Sequence, residues 1–144
     1  MVATLCDAAM RGDTPTCRTL VNEKGVDVNA RDTTANGGST PMHCAAAKGE
    51  TETCKALKEM GADVNAKDNT GSMPMQLAAF CGETKTCKAL KEMGADVNAR
   101  DNDGVMPMQL AVQNNHTETA KVLKDMVADE EATDMTISAA EDCG

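Results

Sequence analysis

Two histidines, seven cysteines and twenty-three carboxylates are the side chains of this 144-residue sequence that could bind a metal or move a proton. Metal and acid–base sites need several such groups to converge, with spacings set by the elements that carry them. The stretch Asp101-Asn102-Asp103-Gly104 has the centre of a calcium-binding loop. That loop also needs an oxygen ligand where Ala99 stands and a glutamate where Leu110 stands. His43 and His116 are the only histidines, and no set of converging partners recurs with either. The cysteines, at 6, 17, 44, 54, 81, 87 and 143, form no C-x-x-C pair. Cys81 has no flanking sequence that would activate a thiolate. Catalysis, a cofactor, a metal and a small-molecule substrate are therefore not expected.

The elements that carry these residues are set by a repeat. Residues 50–68 and 83–101 are identical at seventeen of nineteen positions, at an offset of 33. A fixed period of this size marks a solenoid, in which each unit buries its apolar face only against its neighbour. Three copies align directly, over 40–72, 73–105 and 106–138. Residues 3–39 read as a longer first copy, with extra residues in the stretch TTANGGS. Each copy is expected to be helix, turn, helix and extended loop. Pro41, Pro74 and Pro107 suit the first turn of a helix, and Gly49, Gly82 and Asn115 suit its left-handed end. The second helix of each pair puts Cys54, Leu57 and Met60 on one face and Lys55, Lys58 and Glu59 on the other.

Composition agrees with a stack of thin helices. There is one Phe and no Trp or Tyr, so the core must be built from Ala, Leu, Met, Val and Cys. Net charge is −9. Residues 125–144 hold seven acids and no Lys or Arg, which makes the C-terminus the acidic part. Nucleic acid is not an expected partner, because its binding needs clustered positive charge. Equivalent cysteines in stacked units lie about 10 Å apart, as packed helices do, and that is too far for a disulfide. The thiols are read as reduced, which places the chain in an intracellular, reducing compartment and not among secreted proteins. Asn115-His116-Thr117 is then a chance glycosylation match. No apolar stretch is long enough for a signal peptide or a membrane span.

TPMHCAAAKG followed by GADVNAKD resembles the ankyrin repeat, whose signature is T-P-L-H-x-A at a period of 33. The likeness covers residues 3–138. It implies an all-α solenoid of about four helix-turn-helix units with hairpin-like finger loops and a concave face that binds proteins. The chain departs from the signature at Met73 and Met106 in place of Thr, and at Gln76 and Gln109 in place of His. Loss of the Thr cap is expected to cost about 1 kcal/mol and to loosen the third and fourth fingers, while Gln76 and Gln109 keep the ability to hydrogen-bond to loop backbone. The last copy decays at ADEEATD, and residues 125–144 are expected to be an acidic cap or tail. Residues 133–140 read as a short capping helix with Met135 and Ile137 inward.

Function is sought where the copies stop agreeing. They differ at the end of the first helix (Ala47-Lys48, Phe80-Cys81, Gln113-Asn114) and at the finger tips. In the family these positions face the concave surface. The expected partner-binding residues are Thr33, Thr34, Lys48, Asn69, Thr70, Ser72, Met73, Phe80, Cys81, Asn102, Asp103, Val105, Met106, Gln113 and Asn114. Phe80, with Met73, Val105 and Met106 beside it, is expected to form one apolar anchoring patch. The partner is expected to be another protein or a multi-subunit complex, free or membrane-attached through its partners, with no direct membrane insertion. The alternative is a regulator or inhibitor of a partner enzyme.

Overall fold

The computed structural model describes residues 5–31 and 37–127. Thr33, Thr34, the TTAN part of the first finger and the acidic segment from residue 128 onward lie outside them. The helices are α1 (Leu5–Met10), α2 (Thr14–Asn22), α3 (Pro41–Ala47), α4 (Thr51–Glu59), α5 (Pro74–Phe80), α6 (Thr84–Glu92) and α7 (Pro107–Gln113). Residues 117–127 are also helical and are termed α8. Among the described residues there is no extended strand, only an isolated bridge at Ser39.

The helices form two rows. α1, α3, α5 and α7 pack on one another in succession, and α2, α4 and α6 stack behind them less extensively. The first row, which packs more extensively, is termed the inner row. Pro41, Pro74 and Pro107 each begin an inner helix at N1, and Pro15 is the second residue of the outer helix α2. Gly49 and Gly82 end two of them at φ +72°, and Asn115 ends the third at φ +62°. The same glycines also make room for the next repeat. A Cβ there would have to displace the Glu83 carboxylate and the His116 ring of the next repeat, which lie against the two glycines.

The core is a small set of side chains used repeatedly. Met42 and Met75 fill the inner row, Leu57, Leu90 and Leu123 the outer row, with Ala45, Ala46, Ala78 and Ala79 between helices. Cys17, Cys54 and Cys87 are buried beside the leucines, and none of the six cysteines among the described residues is joined in a disulfide. Burial pushes the thiols of Cys54 and Cys87 up to about 12.

Three hydrogen-bond devices recur between repeats. In the outer row, threonine hydroxyls pair across the interface: Thr14 with Thr53 (2.9 Å), Thr51 with Thr86 (2.8 Å) and Thr84 with Thr119 (2.6 Å). At the finger bases, Asn29 accepts from the Asp63 N–H (2.7 Å) and donates to the Gly61 carbonyl (3.2 Å). Asn65 repeats this with Asp96 (2.9 Å) and Gly94 (3.2 Å). From the inner row, one side chain per repeat donates to a carbonyl at the finger base. Cys6 reaches Ser39 (3.7 Å), His43 Nε2 reaches Ser72 (2.8 Å) and Gln76 Nε2 reaches Val105 (2.8 Å).

The threonine pairs give a stability prediction. Thr86→Val keeps the shape of the side chain but strips the buried Thr51 hydroxyl of its partner, at a cost of about 1–2 kcal/mol. Adding Thr51→Val removes the orphan, so the double variant should be more stable than Thr86→Val alone. Urea unfolding of the three variants measures this. A double variant that loses the sum of the two single losses would refute it.

Candidate functional site

The C-terminal ends of α3, α5 and α7 form a row along the inner face, with neighbours about 10 Å apart. The helix-ending Gly49, Gly82 and Asn115 turn the chain away directly behind them, leaving the last residues of each helix at the surface. Lys48 is exposed beside half-buried Ala47, and Gln113 is exposed beside Asn114, whose Nδ2 donates to the Leu110 carbonyl at 2.8 Å. Between them stands Phe80, with half of its surface exposed. No other aromatic is available in the chain.

Cys81, next to Phe80, is exposed but not activated. Partial burial raises its thiol above the ordinary value, and the Glu83 carboxylate adds to this. The Lys48 ammonium opposes both and does not outweigh them. A nucleophilic thiol needs the reverse balance.

The finger residues divide into exposed and structural ones. Asp68 closes one finger: its Oδ1 accepts from the N–H of Thr70 (2.9 Å), the Thr70 hydroxyl (2.6 Å) and the N–H of Ser72 (3.0 Å). Asp101 closes the next in the same way through the N–H groups of Asp103 and Val105, each at 2.9 Å. Thr70, Asn69, Asn102 and Asp103 remain exposed. Asn102 also donates from Nδ2 to the Asn69 carbonyl (3.2 Å), so the two tips are tied together. Ser72 departs from expectation. It is 7% exposed, because its carbonyl is the acceptor for His43 and the finger base folds over it. It belongs to the scaffold.

The single apolar patch also has to be redrawn. Met73 and Met106 are N-cap residues of α5 and α7, half-buried, and Val105 is half-buried beside Met106. Phe80 is at the other end of α5. Seven residues at 1.5 Å each separate Met73 from Phe80, about 10 Å along the axis. Phe80 therefore stands apart from the methionines, at the end of the inner face away from the fingers.

Neither does the third finger lose its anchor. Met73 makes no side-chain cap bond, so the bond that the Thr40 hydroxyl makes is lost, but Gln76 takes the part of His43: Oε1 accepts from the Met73 N–H (2.7 Å), while Nε2 donates to the carbonyls of Val105 (2.8 Å) and Ala99 (3.3 Å). In the preceding repeat Thr40 and His43 share the task. Sequence reasoning missed Val112, which is 60% exposed. It occupies the register of Ala46 and Ala79, both fully buried. The signal was there: a larger apolar residue replaces alanine in the last copy.

His43 has a structural role with a measurable pH dependence. Nδ1 accepts from the Thr40 N–H (3.1 Å) and Nε2 donates to Ser72, which fixes a neutral ring. Burial holds its pKa below the ordinary histidine value, against the opposing pull of the Ser72 carbonyl. The unfolded chain then binds a proton more readily than the folded one. Stability from this group is complete above the unfolded value of about 6.5 and falls as pH drops below it. His43→Gln, the residue used at 76, should keep the carbonyl bond and flatten this dependence. Urea midpoints at about pH 7.5 and about pH 5 test it. Equal shifts in wild type and variant would sink the assignment.

Among the described residues no three His, Cys, Asp or Glu side chains come together as metal ligands. A polar cleft of about 420 Å³ lies at the finger bases between Asn29, Arg31, Asp63 and Lys67. Asn29 and the Asp63 N–H are already bonded to each other within it. No helix among the described residues is long and apolar enough to cross a membrane.

Comparison with known proteins agrees with the geometry. A family model described as ankyrin repeats, in three copies, matches residues 5–101 and 60–134. A stretch of 59 residues, 41% of this chain, is 44% identical to part of the palmitoyltransferase akr1 of Schizosaccharomyces pombe. The stretch spans 9% of that protein's length.

Proposed function

Because the chain belongs to the ankyrin repeat family, a fold that serves as a protein-interaction module, we propose that it acts as a non-catalytic adaptor or accessory subunit of a larger complex. The partner is a protein held across the inner face and the finger tips. The observation that carries this reading is Phe80. A half-exposed aromatic, in a chain that has no other, stands in a row otherwise made of Lys48, Cys81, Gln113 and Asn114. Aromatic side chains placed this way are the usual anchors of protein interfaces. The lack of any basic, aromatic-lined track among the described residues supports a protein over a nucleic acid. Buried thiols that form no disulfide among the described residues support a reducing compartment.

A second reading is a regulator of a partner enzyme. In its favour is the match to akr1, a protein named as an enzyme that carries a similar stretch.

Lysine-directed crosslinking of the purified complex tests the interface. Lys48 lies on the inner face, while Lys55, Lys88 and Lys121 are exposed on the outer helices. Crosslinks to the partner should concentrate on Lys48 and the finger residue Lys67. Crosslinks confined to the outer-helix lysines would refute the inner-face assignment. Changed activity of a bound enzyme on adding the chain would favour the second reading.

A further inference from the structure

Successive fingers carry a basic residue at one repeated position, Arg31, Lys67 and Arg100, each between the alanine and the aspartate of DVNARD or DVNAKD. The three are not equivalent in the fold. Arg100 bends back on its own finger, where Nη1 donates to the Gly104 carbonyl at 3.1 Å. Arg31 and Lys67 are exposed and make no hydrogen bond or ion pair among the described residues. Both line the polar cleft between the first two finger bases, together with Thr40, the N-cap of α3.

The other polar groups of the cleft already have partners. Asn29 is bonded to the Asp63 N–H and the Gly61 carbonyl, and Asn65 to the Asp96 N–H and the Gly94 carbonyl. The Thr40 hydroxyl pairs with His43 Nδ1 at 2.8 Å. Asp63 Oδ1 accepts from the Asn65 N–H at 2.9 Å. Two cations against one carboxylate are therefore what the cleft presents, in a chain whose net charge is −9. Equivalent positions in stacked units lie about 10 Å apart, a gap that two long flexible side chains can close from both sides. Unpaired like charges repel each other and contribute nothing to the fold. An oxyanion between them would satisfy both. The guanidinium offers a planar fork to two oxygens, and the ammonium adds a point charge.

We propose that Arg31 and Lys67 form an oxyanion clamp between the first two fingers, and that it receives a carboxylate or phosphate carried on a side chain of the partner protein. The source of the anion rests on the proposed function, and the clamp itself does not. Phe80 stands at the end of the inner face away from the fingers, so the partner is held by charge at one end and by apolar contact at the other.

Two probes, inorganic phosphate and hexaglutamate, test clamp and source separately when titrated into the full chain at low salt. The His43 ring is the reporter by NMR. It is bonded to Thr40 at the cleft, and the Arg31 charge opposes its protonation. His116, in the last repeat, is the reference. Both probes should move the His43 signals and leave those of His116 in place, and hexalysine should move neither. Arg31→Gln and Lys67→Gln should each weaken hexaglutamate binding by about tenfold without lowering the thermal midpoint. Arg100→Gln removes the same charge and should change binding by less than about twofold. Equal losses from all three variants, or equal movement of His116, would reduce the effect to general attraction and overturn the clamp. Phosphate binding without hexaglutamate binding assigns the cleft to a small free anion and overturns the side-chain source. Partner crosslinks that avoid the inner face, with both probes still felt at His43, would remove that partner and leave the clamp standing.

Discussion

Leu90→Ala is expected to cost about 3 kcal/mol, among the largest losses of stability from a single truncation in this chain. Leu90 is fully buried in α6, in the same register as Leu57 before it and Leu123 after it. Cys87 and Ala89, its neighbours on the buried face, are small. The repeat holds few other large apolar side chains, chiefly Met75 in the inner row. A core without aromatics has no bulky neighbour to swing into the gap, so the cavity stays open and its cost adds to the lost transfer energy. Typical domains have only about 5–15 kcal/mol in total. In a solenoid the damage is also local, because each repeat couples only to the next. Urea unfolding of Leu90→Ala should therefore be early and broadened. Leu123→Ala, in the last described helix, should keep a single sharper transition. A shift below about 1 kcal/mol for Leu90→Ala would show that the core repacks freely.

Phe80→Ala should weaken partner binding by about thirtyfold, the equivalent of about 2 kcal/mol, while leaving stability within about 0.5 kcal/mol of wild type. The two halves follow from one fact. A side chain half in solvent contributes little packing to its own fold, but it has surface left for a partner to bury. Lys55→Ala on the outer face is the matching control and should change neither quantity. Affinity for the purified partner and thermal melts of both variants give the answer. Intact binding by Phe80→Ala, or a large loss of stability, would move Phe80 from the interface into the scaffold.

Much of the scaffold could be read from the residues in order. Pro41 and Gly49 mark the two ends of α3, Pro74 and Gly82 those of α5, and the 33-residue offset relates one pair to the next. These are local rules: a ring that fixes φ, a residue that tolerates a left-handed turn, an apolar stripe on a helix. The roles of Thr51 and Thr86, or of Asn65 and Gly94, were not legible in the same way. Their partners lie about one repeat away, and the period names equivalent positions without saying which atoms meet.

The candidate surface shows the same division. That Phe80 breaks the repeat is visible in the letters, and so is its place at the end of an inner helix. That it stands about 10 Å from Met73 along α5 depends on helical rise. That Ser72 is buried depends on the His43 ring reaching across to its carbonyl. The repeat, its helices, its turns and the composition of its core were all written in the order of the residues, because they follow from short-range sterics and periodicity. Which variable residues are left for a partner, and that α7 ends the described stack uncovered, came only with the packing of the helices. Exposure is set by the neighbour that stacks on a residue, and a repeat cannot say by itself whether that neighbour is there.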